Sequence, residues 1–327
     1  MNETSLRVER ETVAGLRRRS RRGFLTAAVA AVAGGGIWKW LNDRPEVDGL
    51  ASPFRKAMEF NAGMARRIFR ERALAPEFKQ SKAVRPFRRN GDIGLSEIRP
   101  EDWRLQLVGI LNPASYAQYS GDVSAWTYGM NDSSAEAPNV DANVAPKKLG
   151  THEDAKGAAV KMKPMQMPEN THTRVPGLLL TMADVRKLPH VEMVTEFKCI
   201  EGWSEIVHWG GARLRDFLAA FPPQKARDSK FGSTELATVF PKYVGLNTPD
   251  GQYYVGIERE VAIHPQTLLA YELNGQPLTP DHGAPLRLVT PLKYGIKQVK
   301  QIGRITYTDA RPHDYWHELG YDYYVGL

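Results

Sequence analysis

One cysteine, Cys199, stands in a chain of 327 residues. That count excludes an internal disulfide framework and a cysteine-rich zinc or iron–sulfur centre. The fold must therefore be held by burial and hydrogen bonding. Material for this is ample, since 42% of the residues are hydrophobic and 25% charged. That is the balance of a globular chain, not of a disordered one or a membrane bundle. The length suits one large domain or two ordinary ones. Cys199 itself has two readings. A free cysteine is most often a small buried hydrophobe. In an oxidising compartment a lone thiol is protected by burial or by ligation. Its surroundings, FKCIEGWSEIVHWGG over residues 197–211, set a glycine and two tryptophans close to the thiol, as in a loop packed around something large.

The compartment is legible at the N-terminus. A net charge of +7 invites a nucleic-acid partner. The charge is concentrated, however. Residues 1–45 carry nine Lys/Arg against four acids, and the remainder carries 35 against 33. The body is near neutral and has no basic run with interleaved aromatics, so no nucleic acid is expected. Within the basic block, Ser20-Arg21-Arg22-Gly23-Phe24-Leu25 precedes an apolar stretch from Phe24 to Trp38. A charged region followed by a short apolar one is an export signal. Paired arginines followed by Phe-Leu resemble the twin-arginine translocation signal. The alternative is a short membrane anchor, for which Trp38 and Trp40 suit an interface. The stretch falls short of the ~20 residues that span a bilayer. Ala31-Val32-Ala33 offers a cleavage site. The expectation is a periplasmic protein, exported already folded by the twin-arginine machinery, with N-terminal anchoring as the variant.

From residue 46 the chain reads as one domain to residue 327. Phe54, Met58, Asn61, Ala65, Ile68 and Phe69 recur at near-helical spacing, and Pro76 and Pro86 break the pattern into extended chain. Trp103 to Gly109 alternates like a strand. Residues 112–176 are rich in Ser, Asn, Ala, Pro and Lys and read as an insertion, a long surface excursion. Thr181 is placed to cap a short helix over 182–188, Val191–Cys199 alternates as a strand, and Trp209–Phe221 passes from strand to helix. Short strands and turns follow, at Asn274-Gly275, Asp281-His282-Gly283 and Tyr294-Gly295. The fold class is α+β with short, mixed strands, without the regular alternation of a doubly wound sheet. No GxGxxG or GxxxxGK[ST] follows a strand, which removes support for nicotinamide or P-loop chemistry.

Arg287, Lys293, Lys297 and Lys300 sit among prolines, glycines and strand residues in GAPLRLVTPLKYGIKQVK, residues 283–300. Four cations aimed at one place would suit a phosphate group; an ordinary solvated basic edge reads the same way. Met162, Met165, Met167 and His172 could bind copper through soft ligands, or form a Met-rich flexible loop. His313 and His317 stand i, i+4, a metal-ligand spacing without an evident third ligand; Pro312 and Trp316 suit a packed surface turn instead.

The twin-arginine start, CIEGWS, LLAYELNGQPL (268–278) and DHGAPLRLVTPLKYGIKQVKQI (281–302) together resemble the sulfite-oxidase-like molybdopterin oxidoreductases. The PLKYGIKQVK form is most similar to the branch holding the catalytic subunit of periplasmic methionine sulfoxide reductase. The likeness covers roughly residues 95–111 and 177–327. It implies a sulfite-oxidase-type fold and a Mo-molybdopterin cofactor with one protein cysteine on the metal. Cys199 falls at that position, and a soft thiolate suits a soft, sulfur-ligated metal. The likeness also implies cofactor contacts at Asn61, Thr234, His282, Arg287, Gln298, Val299 and Lys300. At Asn61 the surrounding FNAGMARRIF departs from the aromatic-rich family pattern.

The resemblance further implies two-electron oxygen-atom transfer, with reduction of an S-oxide such as methionine sulfoxide, small or protein-bound. Oxidation of sulfite or another sulfur compound, passing electrons to a cytochrome, is the alternative. A cofactor-free binding module on the same scaffold is a third reading. Sulfite oxidases carry arginine shortly after the ligand cysteine; here Glu201 stands in that stretch, which argues against a small dianion. No haem-domain pattern precedes the core and no immunoglobulin-like segment follows it. A monomer served by a membrane haem or quinol-linked electron-transfer protein is therefore expected.

Overall fold

The computed structural model describes residues 35–40, 43–68, 73–99, 101–110, 113–123, 175–223 and 240–326. The expected export signal before residue 35, most of the excursion and Thr234 lie outside them. Two compact units are delimited at Met58. In the first, residues 35–40 are helical, and β1 (Glu46–Val47) pairs antiparallel with β2 (Leu50–Ala51). The start of α1 (Ser52–Ile68) belongs to this unit and its remainder to the second.

The second unit is built on two sheets. The first follows from sequence alternation. In β6 (His190–Lys198), Met193, Thr195 and Phe197 are buried at every second position, as one face of a pleated strand requires. β6 pairs antiparallel with β7 (Ser204–Arg213) over its whole length, from His190↔Ala212 to Lys198↔Ser204. β7 pairs with β10 (Leu268–Leu273), and β10 pairs with both β11 (Gln276–Pro277) and β12 (Arg287–Val289). The expected Asn274-Gly275 turn joins β10 to β11. A hydrophobic cluster including Phe87, Phe197, Cys199, Val207, Trp209 and Val289 packs on this sheet.

The second sheet runs β4 (Ser120–Asp122), β5 (Pro176–Leu180), β3 (Leu105–Val108), β13 (Arg304–Thr308), β8 (Tyr243–Asn247), β9 (Tyr254–Glu258). Its pairs are antiparallel except β13 with β3. Four short helices join the strands of the two sheets or follow them: α2 (Met182–Val185), α3 (Leu214–Ala220), α4 (Arg259–Ala262) and α5 (Tyr315–Glu318). Thr181 caps α2 by a reciprocal box with Asp184, though the helix ends before the expected Leu188. The larger core, with Trp103, Leu178, Phe217, Leu246 and Ile305 fully buried, packs on this sheet. Short mixed strands with short helices make the fold α+β. Residues 113–123 and 176, expected in the excursion, instead supply a 3₁₀ turn, β4 and the start of β5. Val123 N–H donates to Val175 O at 3.0 Å, so the chain leaves and rejoins the sheet at adjacent points.

Candidate functional site

The parity that buries Met193, Thr195 and Phe197 carries on to Cys199, directly after β6. The β6–β7 turn holds it there. Cys199 N–H donates to Trp203 O at 2.9 Å and Gly202 N–H to Cys199 O at 3.1 Å. Gly202 adopts φ +93°, a conformation glycine accepts without strain. Cys199 is 5% exposed, and burial pushes its thiol up, opposed by a backbone hydrogen bond from Glu201 and by the Asn90 amide. Asn90 Nδ2 lies 4.0 Å from Sγ.

Asn90 arrives on a strap without strand periodicity, residues 73–96, tied down by side-chain amides that imitate a peptide partner. Ala75 N–H donates to Gln266 Oε1 at 2.7 Å, and Gln266 Nε2 to Ala75 O at 2.9 Å. At the other end Ser96 N–H donates to Gln301 Oε1 at 2.7 Å, and Gln301 Nε2 to Ser96 O at 2.8 Å. Between the clips Phe78 N–H donates to Val194 O and Val84 N–H to Ile206 O, both at 2.9 Å. The strap thereby crosses β6 and β7. It sets Phe87 against the rings of Phe197, Trp209 and His282, with centroids 5.3, 5.5 and 5.3 Å away.

Lys300 Nζ donates to Gly91 O and to Asp281 O, each at 2.7 Å. The adjacent residues Asn90 and Gly91 therefore bridge the thiol and this ammonium. Lys300 is 9% exposed; burial and then the neighbouring Arg287 and Arg89 push it down to about 7. Arg287, at the start of β12, is buried to 1%, which pushes its guanidinium down to about 9. It lies 4.7 Å over the Trp209 ring, and Nη1 donates to His282 O at 3.0 Å. No carboxylate among the described residues pairs with it. Burial, then Arg287 and Lys300, hold the His282 imidazole down at about 4, so it is neutral at pH 7. Asp281, whose charge opposes the shifts of His282 and Lys300, pairs with the exposed Arg89 at 3.1 Å.

Buried cations without counter-charge are costly unless an anion completes them. Arg287 Nε, His282 Nδ1, Asn90 Oδ1 and Gln298 Oε1 are also buried and without hydrogen-bond partners among the described residues. Buried polar groups in native proteins are nearly always satisfied. The arrangement fits a ligand with phosphate oxygens at one end, further hydrogen-bonding groups along it, and a thiolate-seeking metal at the other.

The structure gathers Cys199, His282, Arg287 and Lys300 of the expected residues. Gln298 donates through Nε2 to Thr290 O and Lys293 O at 2.9 and 3.1 Å. Val299 turns its side chain into the larger core and accepts from Leu288 N–H at 2.8 Å. Asn61 lies exposed on α1, and the asparagine against the thiol is Asn90. The only sequence signal for Asn90 was a polar residue after Pro86 and two arginines. The four expected cations do not converge: Lys293 and Lys297 are paired with buried carboxylates. His313 hydrogen-bonds Glu318 at 2.5 Å, and His317 Nδ1 meets Tyr321 O at 3.1 Å. No cluster of three His, Cys, Asp or Glu suited to a metal ion occurs among the described residues. The Met162, Met165, Met167 and His172 set lies outside them.

Residues 170–316 match the oxidoreductase molybdopterin binding domain family. The chain is 37% identical over 155 residues to the protein-methionine-sulfoxide reductase catalytic subunit MsrP of Campylobacter jejuni, covering 46% of this chain and 52% of that protein. It is 34% identical over 163 residues to MsrP of Xanthomonas axonopodis pv. citri, covering 49% and 50%. The chain thus spans about half the length of the curated relatives it matches. Among solved structures, the sulfane dehydrogenase SoxCD from Paracoccus pantotrophus aligns with TM-score 0.33 and 19% identity, over 41% of this chain and 36% of that one.

Proposed function

From a molybdopterin-binding oxidoreductase domain at residues 170–316, we propose that the chain is an exported enzyme that reduces an S-oxide, methionine sulfoxide being the first candidate. One observation carries this reading: Asn90-Gly91 joins the buried thiol of Cys199 to Lys300, in a cation group with Arg287 that has no paired carboxylate among the described residues. With the cofactor bound, the chemistry supplied at Cys199 is two-electron oxygen-atom exchange at molybdenum. The residues do the rest. Cys199 gives up its proton on ligation, which offsets the upward push of burial. Arg287 and Lys300 hold the phosphate end by charge-assisted hydrogen bonds, with neutral His282 beside them. The free acceptor Gln298 Oε1 suits a pterin N–H. Thr234, Val299 and Asn61 are the other members of the set read from the sequence.

The rim next to Cys199 favours a neutral substrate. Trp203 donates to Glu201 Oε2 at 3.1 Å and carries the Arg88 guanidinium 4.6 Å over its ring. Ile200 beside it is 39% exposed. A carboxylate, a stacked cation and an apolar side chain suit a polar S=O on a thioether better than a dianion. The activity for which the matched relatives are named supports the same substrate class. Electrons would come from a membrane haem or quinol-linked protein, and the Arg21-Arg22 segment would direct export to the periplasm. No described helix is long and apolar enough to cross a membrane.

The test uses protein purified from a molybdopterin-competent host. Reduced protein is mixed with methionine sulfoxide and other sulfoxides, and oxidised protein with sulfite, while the metal is followed spectroscopically. Sulfoxides are expected to reoxidise the metal and sulfite to leave it unchanged. Reduction by sulfite without response to any sulfoxide would replace this reading by sulfur-compound oxidation coupled to a cytochrome. Cys199→Ala is expected to lower molybdenum per chain by at least about tenfold; full retention would remove the oxidoreductase assignment of this site.

A further inference from the structure

The loop between β12 and β13 carries four of the residues buried most deeply for their polarity: Lys293, Lys297, Gln298 and Lys300. Spacing alone treats its three lysines alike. The structure divides them. Lys300 faces the strap with no paired carboxylate among the described residues. Lys297, 1% exposed, has Nζ 2.5 Å from Asp314 Oδ2 and 3.1 Å from Gly256 O, with the Tyr323 ring 4.1 Å away. Lys293, equally buried, has Nζ 2.9 Å from Glu258 Oε2 and 2.6 Å from Tyr324 O.

Asp314 is the centre of this arrangement. Besides Lys297 it accepts from Gly256 N–H and from His317 N–H, each at 3.2 Å. It thus joins β9, the start of α5 and the loop. Tyr253 Oη donates to Ile296 O at 2.5 Å and accepts from Trp316 Nε1 at 3.0 Å, tying the same three parts together. Immediately after Lys297 come Gln298, Val299 and Lys300. A buried ion pair adds little net stability, and where such pairs are kept their best-attested use is to fix a register. Backbone bonds from Leu288 N–H to Val299 O and from Ile302 N–H to Leu286 O, both at 2.8 Å, hold the segment after Lys297, and the Lys297–Asp314 pair fixes the turn that leads into it.

We propose that Asp314, acting through Lys297, is a positioning residue for Gln298–Lys300 and so for the anionic end of the cofactor. It touches neither the thiol nor the cation group. The proposal rests on the reading that Gln298–Lys300 contacts the cofactor, and the experiment separates the two. Molybdenum and released pterin per folded chain are measured, with melting temperature, for Lys300→Ala, Asp314→Asn, the double variant Lys297→Met/Asp314→Asn, and Val244→Ala as a core control. Asp314→Asn is expected to lower occupancy at least about fivefold, beyond any loss in Val244→Ala. The double variant removes both buried charges. Its melting temperature is expected to recover while occupancy stays low. Occupancy that recovers along with melting temperature, or that falls equally in Val244→Ala, would mean the pair serves stability alone and overturn the proposal. If Asp314→Asn does not fold, the double variant decides by itself. Wild-type occupancy in Lys300→Ala would instead overturn the cofactor-contact reading on which the proposal stands.

Discussion

Lys300 shows how far one residue's surroundings can be read as a requirement for a ligand. Its ammonium is held near 7 against an ordinary 10.5. Between those values the unfolded chain binds a proton that the folded, cofactor-free chain does not. Stability of cofactor-free protein is then expected to rise with pH from about 7 toward 10; below 7 the penalty of the buried charge is present in full. Burial pushes the Arg287 guanidinium in the same direction, to about 9. Asp281 and Asp92 oppose the shift of Lys300, and Arg287 and Arg89 drive it. A phosphate oxygen would supply the missing counter-charge and return the ammonium toward its ordinary value. Melting temperature measured from pH 6 to 10 is expected to climb in the cofactor-free protein, to flatten in Lys300→Met, and to flatten on loading with cofactor. A slope unchanged by Lys300→Met would show that this group does not feel the burial described. Spacing alone grouped Lys300 with Lys293 and Lys297, and only the family resemblance set it apart. The difference lies in carboxylates that come from residues 258 and 314, far along the chain.

At the scale of elements, legibility followed periodicity. Strand β6 was visible because alternation is written into Val191–Cys199, whereas β7 begins at Ser204, ahead of the strand expected from Trp209. Thr181 signalled α2 through its cap, but four residues cannot display a helical period, so its end was misplaced. The strap over residues 73–96 was not legible at all. It has no repeating pattern, and its partners are side chains and strand edges more than a hundred residues away. Asn90, which lies against the thiol, was not singled out for this reason; the asparagine implied by the family resemblance, Asn61, lies exposed on α1. Gln266 gives the strap a test. Replacing it by leucine keeps the volume but leaves Ala75 N–H and C=O without their partners. The expected cost is about 1–3 kcal/mol, localised to the strap. Limited proteolysis and hydrogen exchange should show residues 73–96 opening while β6 and β7 stay protected. Uniform loss of protection would mean that the strap does not open as a separate unit.

For the whole molecule, the single cysteine and the buried cations set opposite ends of one requirement. Nothing covalent staples this chain. The second unit folds around two sheets whose cores are ordinary, yet one face holds Arg287 and Lys300 without carboxylate pairs among the described residues. Binding that exists only in the folded state adds RT ln(1 + [L]/Kd) to stability, about 4 kcal/mol at a thousandfold excess over Kd. For a domain of this size each kcal/mol moves the melting temperature by roughly 2–4 °C. Loaded protein should therefore melt about 8–16 °C above protein made without molybdopterin. Differential scanning calorimetry on both forms checks this directly. Coincident melting would mean that the buried cations are already satisfied within the protein, and the anion-binding role given to Arg287 and Lys300 would have to be withdrawn.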